Sequence, residues 1–521
     1  MNPNESEEYM SNAARVLDSL QKKGVSLWSD NGTLRYRAPK GVLTKVDVEV
    51  LKEARGQIIA ILAGAPDPRI VQSTVKPRPI RDRAPLSFSQ IAHWNLYGLD
   101  VKPAIRQIAT AIRIAGPLEI KVLETSFHEI VRRHDALRTR IVVADRASLQ
   151  RIDSIDDFKL ELIDLRHILE KHRESEVKRL IDDLIMEPVD LAVGPLLAAR
   201  LLRLGNREHV LIAALEHMVS DARSMSILIR DVFTAYTQLK NGCGIDLPDV
   251  PVQFADYCAF LRNEVVSKAE AQGLSWIERL RNCPRVRFPA ETGPLHDHPS
   301  GWTTVPVLIG PELKSELIAW CGARSTTLVM GVFATYAALM MRWCNVSEIV
   351  VPFVTDGRPN SEFEDSIGYF ASVIYPRFRL SADDGFNDVV KSVTREYCAA
   401  LDCADHSFID AQTPPPGFTK NSCFNWVPQS SRTEFLEFVN PEDSIMLSTV
   451  PFVNPMTKDL QRDTEPFILF FDTEGQIAGE VYFPRRLFLK GTMDRLVRNF
   501  IHFLTVLLRE PERHVMDIPI I

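Results

Sequence analysis

His209-Val210-Leu211-Ile212-Ala213-Ala214-Leu215-Glu216-His217-Met218-Val219-Ser220-Asp221-Ala222 is the stretch on which the reading of this chain turns. From His209 to Leu215 it is an apolar run rich enough for a buried strand. A short loop follows, and Met225 to Leu239 then has helical spacing. Strand, loop and helix in succession mark α/β or α+β material. His217 stands where the strand hands over to the loop, a place where a rigid element fixes a reactive side chain. An imidazole held there can take the proton of an amine or hydroxyl as it attacks a thioester carbonyl. Asp221, four residues on, is placed to fold back and hold the loop through an arginine.

The His-x-x-x-Asp spacing carries little weight alone. With twelve histidines in the chain, chance supplies about one match. A second match is present, His406 with Asp410, in the polar stretch Asp402-Cys403-Ala404-Asp405-His406-Ser407-Phe408. No strand precedes it, so it reads as structural or surface. Cys398, Cys403 and His406 lack a fourth ligand, and no metal site is expected. The chain has no Gly-x-Ser-x-Gly elbow and no Gly-rich phosphate or dinucleotide loop, so no bound ATP or NAD is expected.

Outward from the decisive stretch, Leu118 to His134 is an amphipathic helix and Trp302 to Ile309 a strand. Helices are expected at Pro311 to Gly322 and Thr326 to Trp343, a strand at Ile349 to Val354, paired strands at Phe467 to Phe471 and Ile477 to Tyr482, and a closing helix at Thr492 to Arg509. The whole reads as α/β (α+β) in two halves, residues 86–265 and 266–521. The beginning differs. Glu8 to Lys22 is helical and stops at Gly24; Val25 to Trp28 and Leu34 to Arg37 flank an Asn31-Gly32 turn; a second helix runs from Thr44 to about Ala63. That makes a small binding domain over residues 1–64, followed by a linker, 65–85, in a stretch with five prolines from Gly64 to Pro85. Alternation sets Arg35 and Arg37 on one face of the second strand, with Lys40 beyond. Such a basic strand recruits an acidic peptide by strand addition, or else protects a sheet edge.

Bulk properties bound the rest. The 521 residues exceed one ordinary core, and 45% apolar with 25% charged residues is usual for a globular protein. A net charge of -7 argues against a nucleic-acid surface. Eight scattered cysteines and no secretory signal point to a reducing cytoplasm. Leu328 to Met341 and Ile58 to Ala65 fall short of the ~20 apolar residues that span a bilayer.

Residues Ala84 to Ile521 resemble the condensation domain of nonribosomal peptide synthetases. Leu86-Ser87-Phe88-Ser89-Gln90-Ile91-Ala92-His93-Trp94 is similar to the opening motif, and Arg133-His134-Asp135-Ala136-Leu137-Arg138-Thr139 to the second. Glu216 to Ala222 falls where the family has His-His-x-x-x-Asp-Gly. Phe254-Ala255-Asp256-Tyr257, Asp356-Gly357-Arg358-Pro359, Ile367-Gly368-Tyr369-Phe370 and Pro511-Glu512-Arg513 follow in order. The resemblance implies two chloramphenicol-acetyltransferase-like lobes in a V around a central tunnel. It implies His217 as the catalytic histidine and Asp221 as its structural partner, with Arg358 as the expected ion-pair partner of Asp221. Two positions depart from the pattern: Glu216 replaces the first histidine and Ala222 the glycine, whose site lies close to the reacting carbonyl, where a methyl crowds the tunnel.

Leu27-Trp28 and Leu34-Arg35-Tyr36-Arg37-Ala38-Pro39-Lys40-Gly41 are similar to the TubC-type, or β-hairpin, docking domain, a small αββα unit. That resemblance implies that Trp28, Arg35, Arg37 and Lys40 receive the C-terminal tail of an upstream carrier protein. The expected partners are that acyl or peptidyl carrier, whose phosphopantetheine bears the substrate, and an amine or alcohol acceptor; no nucleic acid, membrane or bound cofactor is expected, and the chain is expected to be a monomer. No adenylation, carrier or thioesterase motif follows, so the sequence leads to a stand-alone enzyme that releases a chain onto a free small molecule, similar to the releasing condensation enzyme of enacyloxin assembly. The alternative is a degenerate domain that recruits carriers without chemistry. Plant BAHD acyltransferases share His-x-x-x-Asp, but their Asp-Phe-Gly-Trp-Gly is absent, and epimerisation domains normally follow a carrier.

Overall fold

The computed structural model describes residues 26–30, 33–37, 75–97, 107–262, 301–401, 423–427, 445–451 and 466–521, apart from a few positions within these ranges, together with 279–280, 283 and 288. The two helices expected within residues 1–64, Lys40, and the second His-x-x-x-Asp match lie outside them. Strands β1 (Ser26–Asp30) and β2 (Thr33–Arg37) pair antiparallel, with Trp28 opposite Arg35 and Ser26 opposite Arg37.

After β2 the described residues resume at Val75. Residues 75–85 were expected within a linker, but Val75 is buried against Val252 and Phe254, and Arg78 is buried in ion pairs with Asp135 and Asp256. β3 (Arg83–Pro85) then pairs with the body. Proline content signals stiffness, not the absence of partners.

The chain continues through α1 (Phe88–Tyr97), β4 (Gln107–Ala115), α2 (Ile120–Arg133), the hairpin β5 (Thr139–Ala144) and β6 (Ala147–Ile152), β7 (Glu161–Asp164), α3 (Glu170–Met186), β8 (Leu197–Arg203), β9 (Glu208–Glu216), α4 (Ala222–Lys240) and α5 (Phe254–Phe260). β9 is the centre of a five-stranded sheet. Its Leu211, Ala213 and Leu215 join one core with α2 and α4, while Val210, Ile212 and Ala214 join another with α3. Helices on both faces explain why the decisive stretch is apolar without alternation.

The second half holds β10 (Trp302–Ile309), α6 (Pro311–Gly322), α7 (Leu328–Cys344), β11 (Glu348–Val350), β12 (Phe353–Thr355), β13 (Ser372–Ile374), β14 (Arg377–Arg379), α8 (Phe386–Leu401), β15 (Phe424–Val427), β16 (Met446–Thr449), β17 (Phe467–Asp472), β18 (Ile477–Pro484) and α9 (Lys490–Arg509). Six of these strands form one sheet, β10-β18-β17-β15-β12-β13. Every residue of α7 from Met330 to Met341 is buried, so this apolar run is the core helix of the half. Among the described residues no helix is long and apolar enough to cross a membrane.

Two details differ from the sequence reading. The strand expected at Ile349 to Val354 is two strands in different sheets: β11 pairs with β14 and β12 with β13 and β15. Val351-Pro352 separates them, and a proline cannot donate to a ladder. The halves also exchange structure, since β16 pairs with β4 and completes the first half's sheet.

Candidate active site

The loop after β9 is built by hydrogen bonds that its sequence supplies. Glu216, the last strand residue, is buried, and its carbonyl accepts from the Ser220 hydroxyl at 2.9 Å. Asp221 is the N-cap of α4, accepting from the Ser224 N–H at 2.8 Å. Between them His217 is turned so that its Nδ1 lies 2.8 Å from the Ser220 carbonyl oxygen. A carbonyl only accepts, so Nδ1 carries the hydrogen and Nε2 keeps its lone pair in the neutral ring. Burial pushes the His217 pKa below its ordinary value, favouring that neutral, basic form.

Asp221 holds more than the helix end. Its carboxylate forms a two-pronged ion pair with Arg358 at 3.0 and 3.1 Å and accepts the Phe370 N–H at 3.1 Å. The Ser224 hydroxyl sits in the same knot, bonded to Asp221 and to both the carbonyl and the N–H of Gly368. Every one of these groups is buried, so the charges are paired away from water, and the seam joins α4 of the first half to the 356–370 region of the second. Gly357 is needed there: its φ is +64°, and a Cβ would lie 1.8 Å from the Phe370 carbonyl oxygen. Gly368 has no room for a Cβ either, with Phe254 side-chain atoms at 2.3 Å.

Three rings meet at His217. Tyr369 stands 4.6 Å from His217 between ring centroids and His93 5.4 Å, with 5.7 Å between His93 and Tyr369. His93 comes from α1 and Tyr369 from the loop after Arg358. Gln90, also on α1, supports the loop after β9 through Nε2, which donates to the Met218 carbonyl at 2.6 Å. Its Oε1 accepts from Ser87 N–H while its own N–H bonds the Ser87 hydroxyl, a reciprocal cap that fixes the helix start. Sequence reasoning quoted these residues only as parts of motifs; the Ser-x-x-Gln signature of a helix cap was the available signal for Gln90, and nothing local marked His93.

Ala222 is exposed and is the first residue of α4, in ordinary helical backbone. Among the described residues no group of three or more His, Cys, Asp or Glu is placed to hold a metal ion.

A family model described as the condensation domain matches residues 80–421, well over half of the chain. The chain belongs to the condensation-domain family. A second model, the TubC N-terminal docking domain, matches residues 14–63. Among curated proteins, a linear gramicidin synthase of Brevibacillus parabrevis is 27% identical over 449 residues, covering 84% of this chain and 9% of that protein. The chain thus spans a small part of this relative's length. Of solved structures, the X-domain from teicoplanin biosynthesis superposes with a TM-score of 0.71 at 20% identity, covering 86% of this chain and 100% of that one. The EpoB cyclization-docking bidomain from Sorangium cellulosum gives 0.68 at 20% identity, covering 95% of this chain and 98% of that one. The mixed sheets and helices of this condensation domain are those of the chloramphenicol-acetyltransferase-like fold.

Proposed function

We propose that this condensation domain transfers an acyl, polyketide or peptidyl chain from the phosphopantetheine thioester of a carrier protein to an amine or hydroxyl acceptor, with His217 as the catalytic group. The observation that carries this reading is the Nδ1 hydrogen bond to Ser220, which leaves Nε2 as a fixed acceptor at a partly exposed strand end. The acceptor's N or O attacks the thioester carbonyl as Nε2 takes its proton; the C–S bond then breaks and the departing thiolate receives that proton from Nε2. Asp221, Arg358 and Ser224 act by holding the loop, and His93 and Tyr369 by fixing the plane of the ring. The docking domain, through Trp28, Arg35, Arg37 and Lys40, takes the carrier's C-terminal tail.

The test incubates the full chain with an acyl-loaded carrier bearing its tail and a panel of free amines and alcohols, followed by intact-protein mass spectrometry. Loss of the acyl group that needs both His217 and one particular acceptor supports transfer, and transfer to a free compound supports chain release. Clear carrier binding without turnover of any acceptor overturns the enzyme reading in favour of a recruiting platform. The replacement at Glu216 is the specific feature favouring that second reading.

A further inference from the structure

A histidine that takes a proton in a buried place needs its positive charge met, because burial disfavours the charged ring. At His217 the answer is not a carboxylate on Nδ1, which donates instead to the neutral Ser220 carbonyl at 2.8 Å. Asp221 attracts the charge from the same loop. Its carboxylate is already engaged, however, by two prongs of Arg358, by the Ser224 N–H and hydroxyl and by the Phe370 N–H. The guanidinium at 3.0 Å offsets much of its field. Glu216, the residue before His217, is buried at the end of β9. From α1, buried His93 stands 5.4 Å from His217 between ring centroids, and a proton on it opposes one on His217.

The third ring differs from these groups. Tyr369 lies 4.6 Å from His217 between centroids with the planes tilted by 51°, and His93 meets it edge-on at 5.7 Å. The negative face of an aromatic ring attracts a cation within about 6 Å of its centroid, and more strongly where water is excluded. A neutral imidazole gains far less from the same contact, so the attraction appears as the proton arrives. The approach is also held in place. Tyr369 follows Gly368, whose carbonyl and N–H both bond the Ser224 hydroxyl of α4, and precedes Phe370, whose N–H bonds Asp221. We propose that Tyr369 is a positioning residue that acts through His217, its ring attracting the imidazolium that forms during transfer and so making Nε2 a stronger base than its own loop does. This goes beyond fixing the plane of the ring, and it rests on the reading that His217 takes the acceptor's proton.

The test is an NMR titration of His217 in the full chain, with histidine Cε1 carbon-labelled and the His217 signal assigned by its loss in His217→Ala. Wild type is compared with Tyr369→Phe, which keeps the ring, and with Tyr369→Leu and Tyr369→Met, which fill much of the space without one. The expected result is a midpoint lower by about 0.5 to 1.5 pH units in the Leu and Met variants and unchanged in Tyr369→Phe. The sign separates this role from packing, since a smaller side chain that only let water in raises the midpoint. With a small-molecule thioester at pH 8, kcat is expected to fall about twofold to tenfold in both ringless variants without a matching change in KM, and Tyr369→Phe to keep the wild-type value. If Tyr369→Leu does not fold, Tyr369→Met carries the comparison. A midpoint unchanged or raised in the ringless variants overturns the proposal, as does a wild-type His217 that takes no proton before the protein unfolds in acid. A wild type inert towards every thioester, in which the midpoint still falls without the ring, removes the transfer reading and leaves the effect of Tyr369 on His217 standing.

Discussion

The Nδ1 proton of His217 goes to a carbonyl that cannot return one, and the pH behaviour of the site follows from that bond. Only the neutral ring accepts a proton at Nε2, and burial sets its pKa below the ordinary 6.5. Transfer is therefore expected to be flat with pH above neutrality and to fall only on the acid side of 6.5, which a rate profile against a small-molecule thioester reads directly. His217→Ala removes the acceptor and is expected to lower the rate at least ~100-fold in a protein that remains folded, as a thermal melt checks. Ala222 calls for the opposite expectation. Ala222 is exposed at the start of a helix, so Ala222→Gly is expected to leave the rate unchanged and to cost about 0.5–1 kcal/mol in a denaturant melt. At this scale the sequence was legible where a residue's place depends on neighbours in the chain, as for His217 directly after β9. It was not legible where the partner comes from afar: the approach of His93 to His217 spans two separate elements and no spacing rule encodes it.

Among the elements, α1 and α4 do the positioning. The cap at Ser87 and Gln90 starts α1, and the same Gln90 amide reaches across to Met218, so one side chain ties a helix start to the loop after β9. Gln90→Leu keeps the bulk and removes both roles; a loss of about 1–3 kcal/mol is expected in chemical denaturation, together with a lower rate constant at unchanged substrate affinity. Gly368→Ala tests the seam from the other side, since the added carbon has to displace Phe254, and a loss of about 1–3 kcal/mol is expected by the same measurement. Long buried elements were readable: α6 and β10 have the bounds their sequences indicate, and α7 differs by a residue or two at its ends. Short ones were not. The break between β11 and β12 turns on Pro352, and the chain from Val75 to Pro85 was hidden by prolines because its order depends on the distant Asp135 and Asp256.

For the molecule as a whole, acid is the weak flank. His134, fully buried beside Asp231, Arg133 and Arg230, is held below its ordinary pKa of 6.5 chiefly by burial, and so is His217. The folded protein keeps both rings neutral, whereas the unfolded chain protonates them near 6.5, so the unfolded state binds more protons as pH falls. Their contribution to stability is complete above 6.5 and is lost progressively below it; melting temperatures at pH 7.5 and 5.5 check this, with the lower value expected in acid. The general architecture was legible from its ordered motifs, yet nothing in the sequence placed β16 in the first half's sheet, because its four residues acquire meaning only from pairing with β4. That exchanged strand bears on recombination. A chimera that joins the first half of this chain to the second half of a relative at residue 265 imports a foreign strand into the native sheet, with foreign counterparts of Ile445 and Leu447 in its core. Crossovers that carry the whole of residues 75–521 as one cassette keep strand and sheet together, and the unit available for reassembly is therefore the pair of lobes, not either one.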